Sequence, residues 1–143
     1  MYKHTQIAWV TIISLGAAFL FVSLGGLGAY SIQVMFLAFI LLVTLLAFTS
    51  LTIIITEDYI KLVFGIGLIR LRIKISEIVS LKIVRNKWWY GFGIHGWWGK
   101  GWLLNVSGLN AVELKMKNGM TYRIGTDEPQ KLNDSIQTKI IQA

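Results

Sequence analysis

No cysteine occurs among the 143 residues, so disulfides, thiol nucleophiles and thiolate metal sites are excluded. Proline occurs once, at Pro129, and a lone proline there suits the first turn of a C-terminal helix. Charge is missing from a whole third of the chain. From Thr5 to Thr56 there is no Asp, Glu, Lys or Arg; Lys3 precedes this run, and the other thirteen basic and all seven acidic residues follow it. The part after Thr56 therefore carries a net charge of +6. With 55% hydrophobic residues and a mean hydropathy of +0.61, the chain is too apolar for an ordinary soluble domain. Two composition classes share one chain, and residues 57–143 suffice for one small core.

The uncharged third holds two apolar runs, Ile7–Leu24 and Ile32–Ile55, separated by "GGLGAYS". A helix needs roughly 20 apolar residues to cross a hydrocarbon core about 30 Å thick. The runs predict a transmembrane helical hairpin over residues 1–56, with helices near 7–24 and 32–55 and with Trp9 and Tyr30 in aromatic belts. A cleaved signal peptide fits less well, because its apolar core is about 7–15 residues and no second long run follows it. Neither run has a polar stripe, as a surface helix of a soluble protein would. Basic residues flank the pair on one side only. That pattern predicts a multi-pass protein of the inner membrane with both termini in the cytoplasm.

The charged part changes period. In "LIRLRIKI", Ile69, Leu71, Ile73 and Ile75 alternate with Arg70, Arg72 and Lys74, the pattern of a half-buried strand. "YIKLVF" and Ser76–Arg85 read similarly. Val112, Leu114 and Met116 alternate with Glu113, Lys115 and Lys117 before Asn118-Gly119, a pair that suits a type I′ hairpin turn. In the tail, Thr126 or Asp127 can cap a helix, and Leu132, Ile136 and Ile140 recur every four residues as one apolar stripe.

Between these strands lies "NKWWYGFGIHGWWGKGW", with five of the six tryptophans and Gly91, Gly93, Gly96, Gly99 and Gly101. The glycines are too frequent for one long strand, so a hairpin or extended loop is expected, with Trp102 packing inward. Paired tryptophans cannot both face inward on a strand, so at least one of Trp88 and Trp89, and at least one of Trp97 and Trp98, should be exposed.

Several motifs here resemble the membrane-anchored bacterial pleckstrin-homology-like domains: Tyr90–Ile94, Gly101–Trp102, Val112–Leu114, Asn118–Gly119 and Ile124–Pro129. The resemblance covers roughly residues 50–142. It implies a seven-stranded barrel closed by a C-terminal helix, and no particular activity. His95 departs from the arginine expected in that motif, which weakens any anion-binding role the resemblance would carry over there. The expected fold is an α+β membrane protein: a two-helix transmembrane anchor followed by a cytoplasmic PH-like antiparallel β-barrel or sandwich (residues 57–143), capped by an amphipathic helix.

Catalysis finds little support. "GFGIHG" matches G-x-G-x-x-G, but more glycine and tryptophan follow where a helix should open, so dinucleotide binding is rejected. His95 has no paired acid nearby in sequence, which leaves it an ordinary hydrogen-bonding role. No cofactor or metal is expected, and the chain reads as a non-enzymatic binding or scaffolding module. Its expected partners are the lipid bilayer that holds the anchor, an unidentified protein, or a second copy. The alternative is a sensor of anionic phospholipid headgroups. That reading uses Arg70, Arg72 and Lys74 on one strand and Lys87, Trp88, Trp89, Trp97, Trp98 and Lys100 in the aromatic stretch. A solvated strand face that blocks aggregation explains the three strand residues equally well. Nucleic acid is not expected as a partner.

Overall fold

The computed structural model describes residues 1–25, 31–97 and 101–142, with Trp97 described by its backbone alone. Strand β1 (Tyr2–Ile7) leads into helix α1 (Trp9–Gly25), and helix α2 (Ile32–Phe48) leads into β2 (Ser50–Ile55). Then come β3 (Tyr59–Phe64), β4 (Ile69–Lys74), β5 (Ile78–Arg85), β6 (Gly93–Trp97), β7 (Gly101–Asn105), β8 (Asn110–Met116), β9 (Thr121–Gly125) and helix α3 (Pro129–Gln142).

Two sheets form. The first is antiparallel in the order β1-β2-β3-β4; the second runs β5-β8-β9-β7-β6, with β7 and β9 parallel. The inward rows of both sheets meet in one core that includes Leu51, Ile53, Ile60, Leu62, Leu104, Leu114 and Ile124. Leu132 and Ile136 of α3 are fully buried in it, and Ile140 packs against it. The Thr126 hydroxyl accepts the Glu128 amide at 3.1 Å just before α3 begins. Among the described residues nine strands form two sheets; seven of them, β3 to β9, lie within residues 57–143.

The transmembrane hairpin is corrected. Helices α1 and α2 have 17 residues each, a length of about 25 Å, short of a hydrocarbon core of about 30 Å. Among the described residues, no helix is long and apolar enough to cross a membrane. The expectation of a multi-pass inner-membrane protein with cytoplasmic termini loses its basis with it. The cause is visible in the chain. Ile7 ends a strand, and the β-branched "TIII" of the second run belongs to β2, whose residues alternate between half-buried and buried. Strand β2 pairs with β1 on one side and β3 on the other, which satisfies its backbone groups within the sheet. Apolar content alone does not distinguish a helix from a strand buried on one face.

The Asn118-Gly119 turn also differs in type. Gly119 N donates to Met116 O at 3.0 Å and Met116 N to Met120 O at 2.8 Å, with Gly119 at φ +80°. This is a three-residue connection with glycine in the left-handed region, which fits the same sequence as well as a two-residue turn does.

Candidate functional site

The most unusual surface is the helical hairpin. Not one residue of α1 is buried, and Ala47 alone is buried in α2, although both helices are almost wholly apolar. Phe21 is 80% exposed, and Ile13, Met35, Phe36 and Phe39 are also exposed. Monomeric soluble proteins rarely leave contiguous apolar patches beyond a few hundred Å² in water. Serine and threonine in the hairpin turn their hydroxyls to their own backbone: Ser14 Oγ donates to Val10 O at 2.7 Å and Thr44 Oγ1 to Ile40 O at 2.8 Å. Their polarity is thereby hidden on an otherwise apolar surface.

Chain connectivity places the root of this hairpin at one end of the sheets, between the end of β1 and the start of β2. The β3–β4 turn lies beside it, because Ile66 N donates to Leu46 O of α2. That turn exposes Ile66 and Leu68, and Arg70 follows at the start of β4. On the other sheet, β5 ends here with exposed Arg85, and Asn86 N donates to Leu109 O at 2.6 Å. Leu109 shares a groove with Trp9, which is 63% exposed at the start of α1. A 3-10 turn, Trp88–Tyr90, follows Lys87 and leads to Phe92, which lies against the root. Trp9, Ile66, Leu68, Trp88, Trp89 and Phe92 thus form an exposed apolar collar, with Arg70, Arg85 and Lys87 among them.

Within the collar the aromatics are ordered by one another. Trp88 and Trp89 meet edge to face at 5.8 Å, Trp89 meets Tyr90 at 6.3 Å, and Lys87 Nζ stands 4.9 Å over the Trp89 ring. The carboxylate lining this end, Asp127, is engaged by His4 Nε2 at 2.5 Å. Among the described residues, the ion pairs do not involve Arg70, Arg85 or Lys87; Arg70 Nε donates to Gly67 O at 3.0 Å.

The expected site residues divide. Trp88 and Trp89 are both exposed, because they sit on a 3-10 turn and not on an alternating strand. Lys87 is beside them. Arg70, Arg72 and Lys74 are exposed on β4, the free edge of the first sheet. Two-residue steps of about 6.8 Å carry Arg72 and then Lys74 away from the collar, so Arg70 alone joins it. Trp98, Lys100, Tyr30 and the side chain of Trp97 lie outside the described residues. Trp102 was expected to pack inward; it shares the face of the buried Leu104 on β7 and pairs with Tyr122, yet it is 40% exposed.

His95 is on β6 rather than in a loop, half-buried, with Nε2 2.6 Å from Tyr90 O. The "GFGIHG" segment runs into this strand and opens no helix. Sequence reasoning missed Ile66, Leu68 and Phe92. The signal available was a "GIGL" turn carrying two large apolar residues between alternating strands.

Among the described residues, no group of three or more His, Asp or Glu is placed to hold a metal. Among the described residues, Tyr2 has the large shift in acidity: burial, and then the charges of Glu128 and Asp127, push its phenol up to about 12. No family model and no curated protein matches the chain, so nothing in those comparisons identifies a PH-like domain.

Proposed function

We propose that the protein is a binding module for anionic lipid surfaces. The observation that carries this reading is an apolar hairpin with no buried residue in α1 and only Ala47 buried in α2, with exposed tryptophans and cations near its root. A second copy docked on one side would leave the other side of each helix in water. Hydrocarbon can surround the hairpin entirely. At about 25 Å the helices enter lipid from one side without crossing it. The collar then lies at headgroup level, where indole rings are favoured and where each basic residue contributes about 1 kcal/mol beside an anionic leaflet.

Co-sedimentation of the full chain with vesicles tests the reading. Binding to phosphatidylglycerol–phosphatidylcholine vesicles should exceed binding to phosphatidylcholine alone, and the difference should shrink as salt rises. A chain that stays in the supernatant as a defined oligomer with both vesicle types would favour self-association through the same hairpin and overturn the lipid reading.

A further inference from the structure

A cavity of about 260 Å³ lies between the root of the hairpin and β6. Its walls are apolar: Leu15 of α1, Phe48 of α2, and Phe92, Ile94 and Val106 from the second sheet and its loops. Thr11, Thr44 and His95 supply its polar edge. The Thr44 hydroxyl has committed its proton to Ile40 O, so it offers an incoming ligand only lone pairs. His95 is constrained in the same way. A carbonyl can only accept, so the 2.6 Å contact with Tyr90 O requires the proton on Nε2. In the neutral ring the free lone pair is then on Nδ1. Nδ1 lies toward Gly93, 3.8 Å from where a β-carbon of that residue would stand, and Gly93 is itself part of the cavity wall.

The cavity thus combines hydrocarbon walls with the lone pairs of Thr44 and His95 and the Thr11 hydroxyl at one edge. A ligand that matches it has an apolar body and a single acidic proton. We infer that it binds the carboxyl end of a free long-chain fatty acid, with the acid O–H directed at His95 Nδ1. If the proton crosses, the pair becomes imidazolium and carboxylate, a shorter and stronger hydrogen bond, and no covalent bond changes. The volume lies below the roughly 300–1,000 Å³ of sites for whole drug-sized molecules. It accommodates the head and first methylenes, while the remainder of the chain follows the apolar helices outward. This inference rests on the lipid-surface reading, since such a surface is where the protein would meet the acid.

The test uses the full chain stabilised in amphipol, titrated with carboxyl-labelled oleate and followed by carbon-13 NMR. Wild type should saturate at one oleate per chain. His95→Gln keeps an N–H for Tyr90 O but lacks the second ring nitrogen, and should bind oleate about ten-fold more weakly. Leu15→Trp fills the cavity with His95 intact and should also lose saturable binding. Methyl oleate, which has no acidic proton, should not distinguish wild type from His95→Gln. Equal oleate affinity in wild type and His95→Gln, or uptake that never saturates, overturns the inference. Vesicle co-sedimentation of His95→Gln should match wild type. Failure of wild type to bind vesicles while oleate still saturates would overturn the lipid-surface reading alone.

Discussion

The amide of Ile66 donates to the carbonyl oxygen of Leu46 at 3.2 Å, fastening the β3–β4 turn to the last turn of α2. The close approach depends on Gly65, whose φ is +53° and where any β-carbon would overlap the Leu46 carbonyl oxygen. This contact fixes the hairpin to the sheets and places Ile66 and Leu68 in the collar.

Gly65→Ala should therefore cost about 3 kcal/mol, from left-handed strain together with backbone overlap. Gly119→Ala is the control. Its φ is +80°, but no atom lies within 4 Å of the added carbon, so only the left-handed penalty of about 1 kcal/mol applies. Denaturant unfolding of the two variants should separate them in that order. Equal midpoints would mean that the turn does not pack on α2.

Ile136 is fully buried on α3. Ile136→Asp places an unpaired carboxylate in the core, at a cost of several kcal/mol against a total stability of about 5–15 kcal/mol. The variant should be largely unfolded by circular dichroism. An unchanged melting curve would mean that α3 is not part of the core.

Tyr2 gives the fold an alkaline limit. Its phenol rises from 10.0 to about 12 in the folded chain, because burial and then Glu128 and Asp127 oppose ionisation. The unfolded chain ionises first, so this contribution is complete below pH 10 and is lost as pH rises toward 12. Melting temperature should fall across that window in wild type and fall less in Tyr2→Phe. Parallel pH profiles for the two would remove Tyr2 from the account.

Much of the β-rich part was legible because its signals are local. Ile69, Leu71 and Ile73 face the core while Arg70, Arg72 and Lys74 face out, as their alternation requires. The Leu132–Ile136 stripe and Thr126 mark α3 in the same way. The two apolar runs were not legible as helix plus strand. No charge, proline or glycine interrupts the run through Phe48, Thr49 and Ser50, and the boundary comes from long-range pairing of β2 with β1 and β3. The parallel pairing of β7 with β9 is equally non-local. Lys87, Trp88 and Trp89 could be singled out by composition. The collar and cavity could not, since they join segments near residues 9–15, 44–48, 66–70 and 85–95 that only the fold brings together.

The collar cations carry a quantitative expectation. Replacing Arg70, Arg85 and Lys87 together by alanine removes about 3 kcal/mol of attraction to an anionic leaflet, roughly a hundred-fold in affinity. Arg72→Ala with Lys74→Ala, further along β4, should cost much less. Co-sedimentation at one salt concentration checks both. Losses in proportion to the charges removed, three against two, would mean that net charge matters and the collar does not.

The most direct measurement uses the absence of cysteine, which lets a single introduced thiol carry a spin label cleanly. One label goes at Phe21→Cys, on the exposed hairpin, and another at Lys117→Cys, on the exposed turn between β8 and β9. On adding phosphatidylglycerol vesicles, the Phe21 label should gain collisions with oxygen and lose them with a water-soluble nickel chelate. The Lys117 label should stay accessible to nickel. A Phe21 label that remains fully open to nickel on vesicle-bound protein would contradict entry of the hairpin into lipid.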